Sequence, residues 1–130
     1  MPHLVRLGLI GESQTIAHEF QSALSMGSGS LNVFSTPAMI ALMEAAAVAA
    51  VDHLLEEGYS TVGIDIAVRH LSATPLGEQI IAVAEVTRLE DKRIVFEVRA
   101  WDEQELIGEG THTRYIINDE RFWARLEDRL

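Results

Sequence analysis

Pro37-Ala38-Met39-Ile40-Ala41-Leu42-Met43-Glu44-Ala45-Ala46-Ala47-Val48-Ala49-Ala50-Val51 reads as one helix that is apolar almost all round. A helix that merely lies on a sheet keeps a polar face, so this one is expected to be wrapped by other structure. Ser35 or Thr36 marks its start as N-cap, with Pro37 at the first helical position. Glu57-Gly58 marks its end, the glycine supplying a C-terminal stop. One charge interrupts the run: Glu44 is the sole acidic or basic side chain between Glu19 and Asp52. These neighbours predict a buried carboxylate. Burying an ionised group without partners is costly or shifts its pKa, and such groups collect at functional sites. Glu44 is therefore the first candidate for chemistry.

Outward from the helix the period changes from 3.6 to 2. Val62, Ile64, Ile66 and Val68 alternate with Gly63, Asp65, Ala67 and Arg69, which predicts a strand with one apolar face. A Pro/Gly loop over 72–77 follows, then strands over about 78–89, 93–101 and 106–117, with turns at Glu90-Asp91-Lys92 and Asp102-Glu103-Gln104. Loops this short make the strands antiparallel neighbours. Asn118 or Asp119 caps a final helix over 120–130, apolar at Phe122, Leu126 and Leu130. On the N-terminal side, 4–19 reads as one strand with a weak start and 25–30 as a flexible Ser/Gly loop. The order strand, helix, four strands gives an α+β fold, a curved antiparallel five-stranded sheet wrapped around a long central helix. That is the hotdog architecture, with expected strand order 1-3-4-5-2. The strand around Val62 falls at an edge, and its apolar content invites a second copy. A homodimer with one continuous sheet is expected, with a dimer of dimers as the larger alternative.

Composition narrows the function classes. At 130 residues and 48% hydrophobic content, a single domain over 1–130 is expected. Cysteine is absent, which removes disulfides and thiolate catalysis. Twenty acids against nine arginines and one lysine give a net charge of −10, which argues against nucleic acid or anionic lipid as a partner. A small phosphorylated ligand needs a local basic patch, for which Arg88, Lys92 and Arg93 around one turn are the candidates. The start, Met1 to Arg6, has no secretory-signal pattern, and the Pro37 to Val51 run is short for a membrane span and charged at its centre. A soluble, cytoplasmic protein with no membrane partner is expected. Five scattered histidines without a carboxylate-rich cluster predict no metal site, and no G-x-S-x-G, P-loop or dinucleotide motif occurs.

Two further residues join Glu44. Thr36 stands eight positions earlier, about 80° round and about 12 Å along the helix axis, and side chains lean back toward the helix start. His70 closes the second strand, before the loop that contains Pro75. The helix N-terminus nearby offers free backbone N–H groups for a developing oxyanion. Each residue also has an ordinary reading: Thr36 as a cap, His70 as surface or core filler, Glu44 as the ion-pair partner of an arginine such as Arg114. His112 reads as a packed or dimer-facing residue.

The string Thr36-Pro37-Ala38-x-x-Ala41-Leu42-Met43-Glu44-x-Ala46, followed by Val62-Gly63-x-x-Ile66-x-Val68-x-His70-x-x-Ala73-x-Pro75-x-Gly77 and Gly108-x-Gly110-x-His112-x-Arg114, resembles the hotdog acyl-CoA thioesterases related to fluoroacetyl-CoA thioesterase. The resemblance spans about 9–118. It implies hydrolysis of an acyl-CoA with Thr36, Glu44 and His70 as the catalytic group and with Gly63 and Arg114 at the acyl pocket. It also implies no cofactor beyond the coenzyme A carried by the substrate. One departure stands out: phenylalanines that cover the fluoroacetyl site in that family are replaced here by Met26-Gly27-Ser28-Gly29-Ser30. A short or medium acyl-CoA other than fluoroacetyl-CoA is the expected substrate. A non-catalytic acyl-CoA binding module is the alternative.

Overall fold

A computed structural model describes residues 4–130; the part of the N-terminal reading that rests on Met1, Pro2 and His3 lies outside them. Strand β1 (Ile10–Ile16) leads through a short helix α1 (Ala23–Met26) to the long helix α2 (Thr36–Val51). Strands β2 (Tyr59–His70), β3 (Gln79–Glu90), β4 (Arg93–Trp101) and β5 (Leu106–Asn118) follow, and helix α3 (Asp119–Glu127) closes the chain. All five strands form one antiparallel sheet in the order β1-β3-β4-β5-β2, as the spacing predicted. This is the hotdog fold.

The concave face is written in the even residues of the meander. Ile80, Ala82, Ala84 and Val86 of β3 and Ile94, Phe96, Val98 and Ala100 of β4 are all buried, and they meet Met39, Met43, Ala46, Ala47, Ala50 and Val51 of α2. Small residues on both sides let the helix lie close. At Gly11 of β1 a Cβ would run into the carbonyl oxygen of Ala46, so only glycine fits that crossing. Ser13 Oγ adds a tie, donating to the Leu42 carbonyl at 2.6 Å. The helix sits over β1 and β3, with less of β4 and β2 beneath it. Its apolar circumference is thus partly covered rather than enclosed, and Ala41, Ala45 and Ala49 stay exposed.

Four expectations change. Helix α2 stops at Val51 and gives way to a 3-10 turn over Asp52–Leu54, because the Asp52 carboxylate turns to Thr61 of β2; Gly58, at φ 88°, makes the turn into that strand. The stretch 25–30 is not a plain flexible loop: Ser22 caps α1, Gly27 ends it at φ 72°, and Ser35 Oγ donates to Met26 Sδ at 2.9 Å. The single apolar face expected of β2 is split by a bulge between Gly63 and Asp65 that leaves Ile64 without a register partner. Thr61 and Gly63 therefore face the concave side with Ile116 and Arg114, whereas beyond the bulge Ile66, Val68 and His70 do so. The run Thr36–Leu54, 3-10 turn included, is long and apolar enough to cross a membrane by length and composition, contrary to expectation, although here it packs on the sheet.

Candidate active site

The start of α2 frees one hydroxyl. Ser35 is the cap, its Oγ accepting from the Ala38 amide at 3.2 Å, and Thr36 and Pro37 are the first two helical residues. Thr36 Oγ1, with no capping duty, meets Nδ1 of His70 at 2.7 Å. His70 is brought there by the end of β2, opposite Gly108 of β5. Both residues line a cavity of about 310 Å³ whose other walls include Val33, Phe34 and Leu71. Burial lowers the His70 pKa from 6.5, against an opposing backbone hydrogen bond with Ser72, so the ring is neutral at pH 7. For Nδ1 to accept from the hydroxyl the ring proton must sit on Nε2, which is buried and has no hydrogen-bond partner among the described residues.

Glu44 occupies a second cluster. It is not buried as expected: its side chain is 42% exposed, because α2 lies over β1 and β3 and leaves this flank open above β5 and β2. Arg114 Nη1 donates to Glu44 Oε2 at 3.1 Å, the ordinary ion pair that the sequence allowed. The Arg114 guanidinium is itself buried and engaged through all three of its nitrogens. Its Nε donates to Thr61 Oγ1 at 2.8 Å, its Nη2 to the Thr61 carbonyl at 3.0 Å, and its Nη1 lies 3.2 Å from His112 Nε2. Thr61 Oγ1 passes a proton bond on to Asp52 Oδ1 at 2.6 Å.

His112 fixes the other end. Its Nδ1 donates to the Asp65 carbonyl at 2.7 Å, which leaves Nε2 as an acceptor for Arg114. Burial chiefly, and the Arg114 charge after it, lower the His112 pKa, against the Asp65 carbonyl and Glu44, and the ring stacks on Phe96. Gly63 is the empty space in this cluster. A Cβ there would stand 2.5 Å from Glu44 Oε2, 3.1 Å from His112 Cε1 and 3.3 Å from Arg114 Nη1.

Thr36 and His70 thus form one contact group, and Glu44, Gly63 and Arg114 another; among the described residues no hydrogen bond or ion pair joins the two. The sequence reading missed Asp52 and Thr61. His112 and Arg114, two apart on β5, share a face by strand periodicity, but a threonine facing them across a register set by a bulge carries no signal of its own. The cation cluster at the β3–β4 turn is also dispersed, with Arg88 paired to Glu90. No group of three or more potential metal-ligating side chains occurs among the described residues.

A family model described as fluoroacetyl-CoA-specific thioesterase matches residues 13–120. A fluoroacetyl-CoA thioesterase of Streptantibioticus cattleyicolor is 39% identical over 97 residues, 75% of this chain and 70% of that protein. A solved structure of a fluoroacetyl-CoA thioesterase superposes with TM-score 0.90 at 30% identity, covering 97% of this chain and 98% of the other. A Thermus thermophilus thioesterase-superfamily member of hypothetical function superposes with TM-score 0.85 at 26% identity, over 97% and 96%.

Proposed function

The chain belongs to the fluoroacetyl-CoA-specific thioesterase family, and from that premise we propose that it hydrolyses a short or medium acyl-CoA to the free acid and coenzyme A, with Thr36, Glu44 and His70 as the reacting group. The observation that carries this is the 2.7 Å contact of the Thr36 hydroxyl with a neutral imidazole. His70 takes the hydroxyl proton as Thr36 Oγ1 attacks the thioester carbonyl. The tetrahedral oxyanion collapses, the C–S bond breaks, and the thiolate leaves with a proton from the imidazolium. Water then cleaves the acyl-Thr36 ester. Glu44, held in place by Arg114, is the base for that water.

A homodimer paired through β2 belongs to the same proposal. β2 is an edge strand that exposes Ile64 and Ile66, the feature that invites a second copy. The protein is proposed to be cytoplasmic and to need no cofactor. The Ser/Gly-rich stretch after α1, exposed over 26–32, leaves the acyl cavity without an aromatic cover, which favours an acyl group other than fluoroacetyl.

Release of free thiol from a panel of acyl-CoAs tests the proposal. Turnover above background on at least one is expected, and Thr36→Ala should lower it at least ~10²-fold. Binding measured by calorimetry without turnover on any member would replace the enzyme with a non-catalytic acyl-CoA module.

A further inference from the structure

One unexplained feature lies away from Thr36 and Glu44, between α3 and the ends of β5 and β2. A cavity of about 390 Å³ there is lined by Lys92, Arg121 and Arg125, with Tyr59, Tyr115 and Phe122 as aromatic walls. No carboxylate lines it, in a chain with twenty acids and ten cations. Arg69, Arg88, Arg99 and Arg114 pair with carboxylates, whereas Lys92, Arg121 and Arg125 make no ion pair among the described residues. Arg121 and Arg125 sit at i and i+4 on α3, a like-charge spacing that weakens a helix, and Phe122 and Leu126 repeat that spacing beside them. Three unpaired cations of one sign converge on apolar and aromatic surface. Their mutual repulsion is relieved by a bound polyanion.

From this geometry we infer that the α3 cavity binds the phosphorylated, aromatic part of a nucleotide, its phosphates on Lys92, Arg121 and Arg125 and its base against Tyr59, Tyr115 and Phe122. The volume lies in the range of small-ligand sites, about 300–1,000 Å³. Stacking on aromatic rings is the common way to hold a base without reading its edges. Two sources share this chemistry: the nucleotide head of the coenzyme A substrate, an assignment that rests on the thioesterase reading, and a free nucleotide bound independently of turnover.

Calorimetry with coenzyme A, with ADP and with pantetheine, at low and at high salt, separates these sources. Coenzyme A and ADP should bind and pantetheine should not, and Arg121→Glu/Arg125→Glu should weaken both nucleotides at least about tenfold. High salt should weaken them in the wild type as well. If the substrate head is the occupant, the wild-type advantage in KM of acyl-CoA over acyl-pantetheine collapses in the same variant. If ADP binding is lost in the variant and that advantage persists, the site takes a free nucleotide. No binding of either nucleotide, or binding that the double variant leaves unchanged in a protein with wild-type circular dichroism, overturns the inference. None of the calorimetry depends on hydrolysis, so an inactive protein that binds ADP sinks the thioesterase proposal alone.

Discussion

Gly63→Ala puts a methyl group where the Glu44 carboxylate now rests. The added carbon would stand 2.5 Å from Oε2, and ordinary contact needs about 3.5 Å, so one of the two must retreat by about 1 Å. The backbone of β2 is held by its ladder to β5, whereas Glu44 ends a flexible side chain with an open flank; the carboxylate is the part that moves. A misplacement of that size at a reacting group costs about 10²-fold in rate, or about 2.7 kcal/mol of transition-state stabilisation. Stability should change far less. The Glu44–Arg114 pair is 42% exposed on the glutamate side, which limits its worth to about 0–1 kcal/mol, a shift in melting temperature of a few degrees. Thiol release and thermal melts on the same preparations read the two effects separately. A Gly63→Ala protein with kcat/KM within about twofold of wild type would refute the reasoning, since Glu44 would then be displaced without consequence.

Four further outcomes are expected. His70→Asn should lower kcat/KM by ~10²–10⁴-fold while preserving the circular dichroism spectrum, because Thr36 loses its proton acceptor and little packing is lost. Arg114→Lys should destabilise the fold by roughly 2 kcal/mol or more in urea melts, since one ammonium cannot serve Glu44, His112 and both oxygens of Thr61. For pH, the folded pKa values of His70 and His112 both lie below 6.5, so the unfolded chain binds more protons just under that value. Their contribution is therefore fully present above pH 6.5 and fades as pH falls toward the folded values; melting temperature should drop over that window, less steeply in His112→Asn. Activity should rise with pH through the depressed His70 value and level off by neutrality, and a bell centred on alkaline pH would contradict the neutral base.

Much of the fold was legible because it is periodic. The alternation in β3 and β4 and the apolar circumference of α2 are local patterns, and the short turns between strands leave few topologies open. The bulge was not legible, since Val62, Ile64, Ile66 and Val68 alternate as though the strand were regular and nothing in those residue types marks Ile64 as unpaired. The end of α2 was misplaced for a related reason: Gly58 is a true turn residue, but the Asp52 carboxylate draws the chain toward Thr61 six residues earlier. For Glu44, helix composition gave the right residue and the wrong surroundings. A pattern apolar on every side says that a helix is covered somewhere, not which half of the sheet lies under it, and that offset is what leaves the carboxylate open. Thr36 was ambiguous between cap and site until Ser35 took the capping hydrogen bond.

The unpaired residue in β2 sets a phase. Upstream of it odd-numbered side chains look toward the helix, downstream even-numbered ones do, so Thr61 and His70 face the same way despite unlike parity. Were Ile64 drawn into the ladder, the pleat would run on unbroken and one half of the strand would turn over. Either the imidazole or the threonine that braces Arg114 would then point outward, a defect no compensating side chain can mend. Removing that one residue instead leaves Asp65 outward after Gly63 and both Thr61 and His70 toward the helix, so the strand should forgive the loss of Ile64 better than its incorporation into the pairing.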